Sequence, residues 1–294
     1  MEPQQHFSPF RLRCRRGDVL FRRPAIMGIL NATPDSFYDG GRYDNPDALL
    51  ARARQLLAEG ADILDLGVVS SRPGASIPLP ADEADKLAAL VALLRTHLPD
   101  ALISVDTYHA LAASRAVEAG ADIINDISGG QLDPDMLPTV ASLGVPYVLM
   151  HMRGTPATMQ LPENTRYDDL IDDLSRYFDQ KLAALHRLDP ADIILDPGLG
   201  FAKTVDQNHQ LLHRLPELIA RFPQHPMLVA LSNKSMITRR LATFADHHGP
   251  ATPPLPDSEL GTLVLNTVAL CGGASLLRVH TPRPTRLAIS LLFG

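Results

Sequence analysis

The stretch Ala25-Ile-Met-Gly-Ile-Leu-Asn31-Ala-Thr-Pro-Asp35-Ser-Phe37-Tyr-Asp39-Gly-Gly41 decides the fold. Its apolar run, Ile26 to Leu30, is long enough for one strand buried on both faces. The run stops at Asn31, and Pro34, two acids and a glycine pair then supply turn chemistry. An apolar strand that hands polar groups to a loop is a repeating kind of unit. The fold follows from how often the chain repeats it.

The same pattern recurs at Ile63–Leu66, Leu102–Val105, Ile123-Ile124, Tyr147–Met150, Ile193–Leu195, Met227–Leu231 and Leu276-Leu277. Helical spacing follows each run: about Asp47–Glu59, Ala81–His97, Ala110–Glu118, Asp135–Leu143, Tyr167–Leu188, Asn208–Arg221, a segment up to Ala245 with Ser258–Cys271 beyond a Pro-rich link, and Arg286–Phe293. The strands are continuous apolar runs rather than alternating ones, as parallel strands covered on both faces require. The expected fold class is therefore α/β, a (β/α)8 TIM barrel spanning 25–294 as one domain. A doubly wound sheet is the alternative, but no Gly-rich dinucleotide fingerprint follows the first strand. Residues 1–24 are expected to be a short N-terminal extension. Arg15-Arg16-Gly17-Asp18 reads as the turn of a hairpin closing the bottom of the barrel.

Composition narrows the function classes. The chain has 294 residues, 45% hydrophobic and 20% charged, with a net charge of −6. That balance implies no broad basic surface for nucleic acid, and the cations Arg11, Arg13, Arg15, Arg16, Arg22 and Arg23 read as solvated surface. No apolar run approaches the length of a membrane span. Cys14 and Cys271 sit in no metal or disulfide spacing. A reduced, cytoplasmic protein is the expectation.

In a barrel all strand C-termini meet on one face. Asn31, Ser71, Arg72, Asp106, Asn125, His151, Asp196, Lys234, Arg278 and His280 would converge there. Asp106, Asn125 and Asp196 suit a flat heterocycle with an amidine-like donor edge, and Lys234 could bond a ring carbonyl or nitrogen. Met150 could pack on the ring face. Arg72, Arg278 and His280 suit a phosphate or diphosphate. Asn31 offers a hard oxygen for Mg2+, which shares substrate phosphates. Ser235 falls where a helix should begin, so backbone N–H groups there could take a carboxylate. A ring site, a diphosphate site and an anion site together suggest displacement of diphosphate.

Blander readings compete. A lone Asp106 or Asp196 is commonly a cap, but two acids at matching strand ends favour function. Asn31 and Asn125 lean the same way. His151 reads better as a satisfied structural histidine. His280 lies two positions from Arg278, on one strand face. Gly198-Leu-Gly200-Phe-Ala-Lys203-Thr204 has the wrong spacing for a P-loop and reads as a barrel loop.

Eight motifs carry a resemblance. They are Met27-Gly-Ile-Leu-Asn-Ala-Thr-Pro-Asp-Ser-Phe37, Ser71-Arg-Pro-Gly-Ala75, Ser104-Val-Asp-Thr-Tyr108, Ala121-Asp-Ile-Ile-Asn-Asp-Ile-Ser-Gly-Gly130, Leu149-Met-His-Met-Arg-Gly-Thr-Pro156, Leu195-Asp-Pro-Gly-Leu-Gly-Phe201, Ser232-Asn-Lys-Ser235 and Arg278-Val-His280. In this order they resemble the dihydropteroate synthase family. The resemblance implies a transferase of folate biosynthesis that joins a dihydropterin-methyl diphosphate to 4-aminobenzoate. It implies that Asp106, Asn125, Met150, Asp196 and Lys234 hold the pterin, and that Asn31, Ser71, Arg72, Arg278 and His280 handle diphosphate and Mg2+. Phe37, Pro73, Phe201 and Ser235 would form the aminobenzoate site. Asp35, Lys234 and Arg278 would act on the reacting centre. The mechanism it implies is dissociative: diphosphate leaves, and the arylamine attacks a resonance-stabilised cation. A homodimer, with no nucleic-acid or membrane partner, is implied in the same way.

The chain departs from the family in two places. Val68-Val69-Ser70-Ser71-Arg72-Pro73 stands where Gly-Glu-Ser-Thr-Arg-Pro is common, and Ser232-Asn233-Lys234-Ser235 replaces Ser-Arg-Lys-Ser. The altered second loop makes a degenerate pterin-binding paralogue one alternative function, and a pterin-dependent methyltransferase domain, which shares the barrel and the pterin site, is the other.

Overall fold

The computed structural model describes residues 7–32, 46–69, 79–248 and 258–294. Eight parallel strands form one sheet: β3 (Ala25–Asn31), β4 (Ile63–Gly67), β5 (Leu102–Asp106), β6 (Ile123–Asp126), β7 (Tyr147–Met150), β8 (Ile193–Asp196), β9 (Leu228–Ala230) and β10 (Leu276–Val279). They run in the order β8-β7-β6-β5-β4-β3-β10-β9. Leu195 pairs with Met227, and its N–H donates to Pro226 O at 2.9 Å, which closes the ends into a barrel. The expected (β/α)8 architecture is the observed one.

Side-chain alternation along each strand divides the core in two. On β4, Leu64 and Leu66 join the large outer cluster between sheet and helices, whereas Ile63 joins the cluster inside the barrel. The inner cluster also holds Met27, Ile123, Val148, Ile194 and Leu228, packed with Leu12, Cys14 and Phe21. Those last three belong to the antiparallel hairpin β1 (Phe10–Cys14) and β2 (Gly17–Phe21), which turns at Arg15-Arg16 and plugs the barrel floor. The floor is apolar, so the polar inward groups collect at the opposite end.

The hairpin arginines are exposed, as a solvated surface requires, and two of them also reach acids of the barrel. Arg16 Nε donates to Asp122 Oδ1 at 2.9 Å, and Arg13 Nε to Asp192 Oδ1 at 3.0 Å. Both side chains stitch the plug to the barrel, because the strand N-termini there present the acids they need.

The helices are α1 (Pro46–Ala58), α2 (Pro80–His97), α3 (Ala110–Glu118), α4 (Met136–Leu143), α5 (Leu170–His186), α6 (Val205–His213), α7 (Leu215–Arg221), α8 (Ser235–His248), α9 (Ser258–Cys271) and α10 (Pro282–Phe293). Three differ from the periodicity. The single helix expected over 208–221 is two, because Pro216 has no N–H and disfavours helical geometry at the residue before it. The helix expected from Tyr167 starts at Leu170, after Asp169 accepts the N–H of Asp172 as its N-cap. The closing helix begins at Pro282 rather than Arg286, with proline in its first turn, where a missing N–H costs nothing.

Candidate active site

Four neighbouring strands end in one hydrogen-bonded row: Asn31 pairs with Gly67, Gly67 with Asp106, and Asp106 with Asn125. Paired residues of a parallel sheet face the same way, so Asn31, Asp106 and Asn125 share the barrel mouth. Gly67 is the gap in that row. A Cβ there would lie 3.6 Å from Asn31 Oδ1 and 3.6 Å from Asp106 Cβ, so its absence leaves room between the amide and the acid.

Below this row sits Asp65, fully buried in the middle of β4. Its Oδ2 accepts Arg278 Nε at 2.6 Å and Asn125 Nδ2 at 3.0 Å. Arg278, from β10, also donates from Nη2 to Asp106 Oδ2 at 2.7 Å. Burial opposes the charge of Arg278, but Asp65 and Asp106 more than reverse this and hold the guanidinium above its ordinary range. Burial pushes the carboxyl of Asp106 up to about 7, against the pull of Arg278.

On the far side of the mouth, Asp196 ends β8 and accepts the N–H of Gly198 at 2.7 Å. Burial raises its pKa, and Lys234 beside it opposes that. Lys234 follows β9. Its ammonium donates to Leu199 O and lies 4.7 Å above the ring of Phe201. Burial lowers Lys234 to about 8, with Asp196 resisting. Met150, at the end of β7, is buried in an apolar patch with Ile127, Met152, Met159 and Ala202, against which Phe201 packs. The mouth therefore has one apolar wall and a ring of acids, amides and cations.

His280 lies just past β10. Its Nδ1 is 3.0 Å from Ser232 Oγ, and Arg52 of α1 donates to its backbone carbonyl at 2.5 Å. Ser235 opens α8, as the sequence implied. Asn233 has a φ of 56°, a left-handed conformation that asparagine tolerates better than most residues. Its Oδ1 accepts Ser258 Oγ at 3.1 Å, so the residue that replaces a family arginine ties this turn to the start of α9. Val68 is buried in the outer core and Val69 packs against it. The altered second loop thus begins with core packing.

His151 is buried, as the structural reading expected. Its Nδ1 is 3.1 Å from Lys203 Nζ, which also donates to Gly198 O at 3.1 Å and Phe201 O at 3.2 Å. Burial holds His151 well below the usual histidine range, and the charge of Lys203 adds to this. Lys203 is itself buried and is lowered to about 7 by that burial. The loop 198–203 is a loop, not a phosphate cradle, and its lysine points inward.

Of the residues singled out by sequence, Asn31, Asp106, Asn125, Met150, Asp196, Phe201, Lys234, Ser235, Arg278 and His280 all lie at or beside the C-terminal ends of strands. Asp35, Phe37, Ser71, Arg72 and Pro73 lie outside the described residues. Sequence reasoning missed Asp65 and Lys203. The signal for Asp65 was present: a carboxylate inside an apolar run has to be paired when that run is buried.

These groups gather at the C-terminal mouth of a closed (β/α)8 barrel, the face on which enzymes of this architecture carry their active sites. The chain belongs to the dihydropteroate synthase family of pterin-binding enzymes: the family model described as "Pterin binding enzyme" matches residues 27–280. It is 40% identical over 269 residues to the dihydropteroate synthase of Synechocystis sp., covering 90% of this chain and 88% of that one. It is 39% identical over 274 residues to the mitochondrial folate synthesis bifunctional protein of Arabidopsis thaliana, covering 91% of this chain. There it spans about half the length, 49% of the plant protein. The dihydropteroate synthase of Xanthomonas albilineans, solved with 4-aminobenzoic acid, superposes with a TM-score of 0.82 at 33% identity, covering 97% of each chain.

Proposed function

We propose that the protein is a dihydropteroate synthase, a transferase that condenses (7,8-dihydropterin-6-yl)methyl diphosphate with 4-aminobenzoate and releases diphosphate. One observation carries the reading. The pterin set of the family, Asp106, Asn125, Asp196 and Lys234, converges with Arg278 and His280 at a single barrel mouth. The retained Arg278 and His280 favour a diphosphate substrate over a methyltransferase role.

The side chains present fit this chemistry. Asp106 and Asp196 accept from the donor edge of the pterin, Asn125 contributes its amide, and Lys234 donates to the ring. Met150 and its apolar neighbours cover a ring face. Arg278 and His280 face the diphosphate, so that negative charge building on the leaving oxygen meets fixed positive charge and a hydrogen-bond donor. The C–O bond to diphosphate breaks first. The carboxylates around the ring then stabilise the pterin-methyl cation, and the neutral arylamine nitrogen forms the new C–N bond and loses its extra proton. The N-terminus of α8 at Ser235 receives the aminobenzoate carboxylate, beside Phe201. Asp35, Phe37, Ser71, Arg72 and Pro73 take the roles the resemblance gives them.

The donor set also fits Mg2+. Asn31 presents a single amide oxygen at the mouth, and the gap at Gly67 leaves room beside it. Among the described residues no group of three or more His, Cys, Asp or Glu is placed to hold a metal. One protein oxygen with substrate phosphates and water is how Mg2+ is commonly bound. Asn31 would hold the ion, which when bound supplies charge neutralisation of the diphosphate.

A homodimer is part of the same reading. Leu260 and Val264 of α9 and Leu287, Leu291 and Leu292 of α10 are exposed on adjacent helices, an apolar face that a second copy would cover. No helix among the described residues is long and apolar enough to cross a membrane. A cytoplasmic, reducing location is part of the same reading, and Cys14 is a buried thiol.

The deciding assay incubates purified protein with the pterin diphosphate, 4-aminobenzoate and Mg2+, and follows diphosphate and dihydropteroate. Equimolar release of both is expected. Pterin binding without turnover would instead mark a non-catalytic pterin-binding paralogue.

A further inference from the structure

Arg278 is held by two different carboxylates through two different nitrogens. Nε meets Asp65 at 2.6 Å and Nη2 meets Asp106 at 2.7 Å. A guanidinium held this way can give up one partner and keep the other, unlike one forked onto a single carboxylate.

The two partners are not equivalent. The Asp65 side chain is 0% exposed, on the middle of a central strand, and it is fixed a second time by the amide of Asn125. Its Oδ1 has no hydrogen-bond partner among the described residues, and neither has Ser104 Oγ on the paired position of β5. This carboxylate cannot leave, and removing its cation would strand a buried charge. Asp106 stands one layer nearer the mouth with its side chain 24% exposed. The pterin reading requires Asp106 as an acceptor for the substrate, yet Arg278 occupies its Oδ2. Substrate and arginine therefore share one carboxylate, whose Oδ2 the arginine already holds.

We infer that Asp65 is a positioning residue, a fixed pivot that keeps Arg278 Nε in place while the Nη2 arm passes from Asp106 to the diphosphate as the pterin takes Asp106. This deepens the dihydropteroate synthase reading and rests on it. The exchange leaves no carboxylate unpaired: the pterin's donors replace the guanidinium on Asp106, and diphosphate oxygens replace Asp106 on the guanidinium. It couples the two halves of the substrate, because the arm is released to the diphosphate only once the ring is seated. Asp65 touches neither half and acts through Arg278 and Asn125.

The test compares wild type, Asp65→Asn and Asp106→Asn by calorimetry, with 6-hydroxymethylpterin, its diphosphate and inorganic diphosphate alone as probes. In wild type the diphosphate group should strengthen pterin binding. In Asp65→Asn that gain should shrink at least tenfold, with kcat falling more than the KM for 4-aminobenzoate rises. In Asp106→Asn the arm is freed, so inorganic diphosphate should bind at least threefold tighter while 6-hydroxymethylpterin binds at least tenfold weaker. An unchanged diphosphate gain in Asp65→Asn overturns the pivot. So does unchanged or weaker inorganic diphosphate binding in Asp106→Asn, which decides the matter if Asp65→Asn fails to fold. Wild-type turnover is measured alongside. Its absence would count against the synthase reading, whereas the binding ratios report on the pivot.

Discussion

Lys203 Nζ lies 3.1 Å from His151 Nδ1 in a part of the barrel closed to solvent, and its two other donors meet the carbonyls of Gly198 and Phe201. The Lys203 nitrogen thus meets three partners from two adjacent strand ends. The same loop holds Gly198, Gly200 and Ala202 at positive φ, with Ala202 at 49°. A non-glycine residue there costs on the order of 1 kcal/mol and persists because its surroundings impose it. Lys203 is one of the restraints, and the loop it restrains presents Leu199 O to Lys234 and Gly198 N–H to Asp196.

Lys203→Met should therefore raise the KM for the pterin substrate at least tenfold with a much smaller change in the KM for 4-aminobenzoate. Steady-state kinetics with each substrate varied in turn will show it. Equal changes in both KM values would mean the loop does not serve the pterin side.

The same variant carries a stability signature. Burial depresses Lys203 from 10.5 to about 7. A base whose pKa is lower in the folded state stabilises the fold fully only above its unfolded value, and that stability is lost as pH falls from 10.5 through 7. The Tm of Lys203→Met minus that of wild type should accordingly be more favourable at pH 6 than at pH 9. A difference that grows with pH would contradict the assigned direction.

Activity should be bell-shaped in pH. Asp106, raised to about 7 by burial, must be ionised to accept from the pterin, so kcat/KM falls as pH drops below 7. Lys234, lowered to about 8 by burial, must be protonated to donate, so kcat/KM falls above 8. Lys234→Arg should lower the maximum and remove the alkaline limb, since arginine stays charged. An alkaline limb unchanged in that variant would assign it to another group.

At the barrel floor, Asp122 accepts from Arg16, from Arg95 at 2.8 Å and from the N–H of Ile103 at 2.9 Å. Asp122→Ala should cost about 2 kcal/mol, towards the low end for a broken buried pair because both arginines keep carbonyl partners. Urea unfolding will measure it. KM and kcat should stay within about twofold, because the floor is the stability end of the barrel.

The apolar face on α9 and α10 gives a last test. Leu291 is 80% and Val264 54% exposed. Val264→Glu with Leu291→Glu should convert a dimer to monomer in sedimentation velocity without loss of Tm. A wild type that sediments as a monomer at micromolar concentration would remove the dimer from the proposal.

Much of this was legible in the chain. The apolar runs gave eight strands, and the residue that ended each run gave Asn31, Asp106, Asn125, Asp196 and Arg278 their places at one mouth. Local chemistry sufficed there, because a strand end is set by where the apolar run stops. Pro216 was equally visible, and periodicity alone overran it.

Asp65 and Lys203 show where reading along the chain stops. An acid within Ile63–Leu66 and a lysine in a Gly-rich loop have ordinary sequence surroundings. Their roles come from partners 213 and 52 positions away, which only barrel closure brings within hydrogen-bond reach. The sequence by itself determined the barrel, its polarity and the chemistry collected at its mouth, since burial periodicity and turn residues are local. The tertiary structure alone decided which charges are paired, which nitrogen of Arg278 meets which carboxylate, and that Lys203 turns inward. Those outcomes depend on distances between strands, and on the cost of leaving a buried charge without a partner.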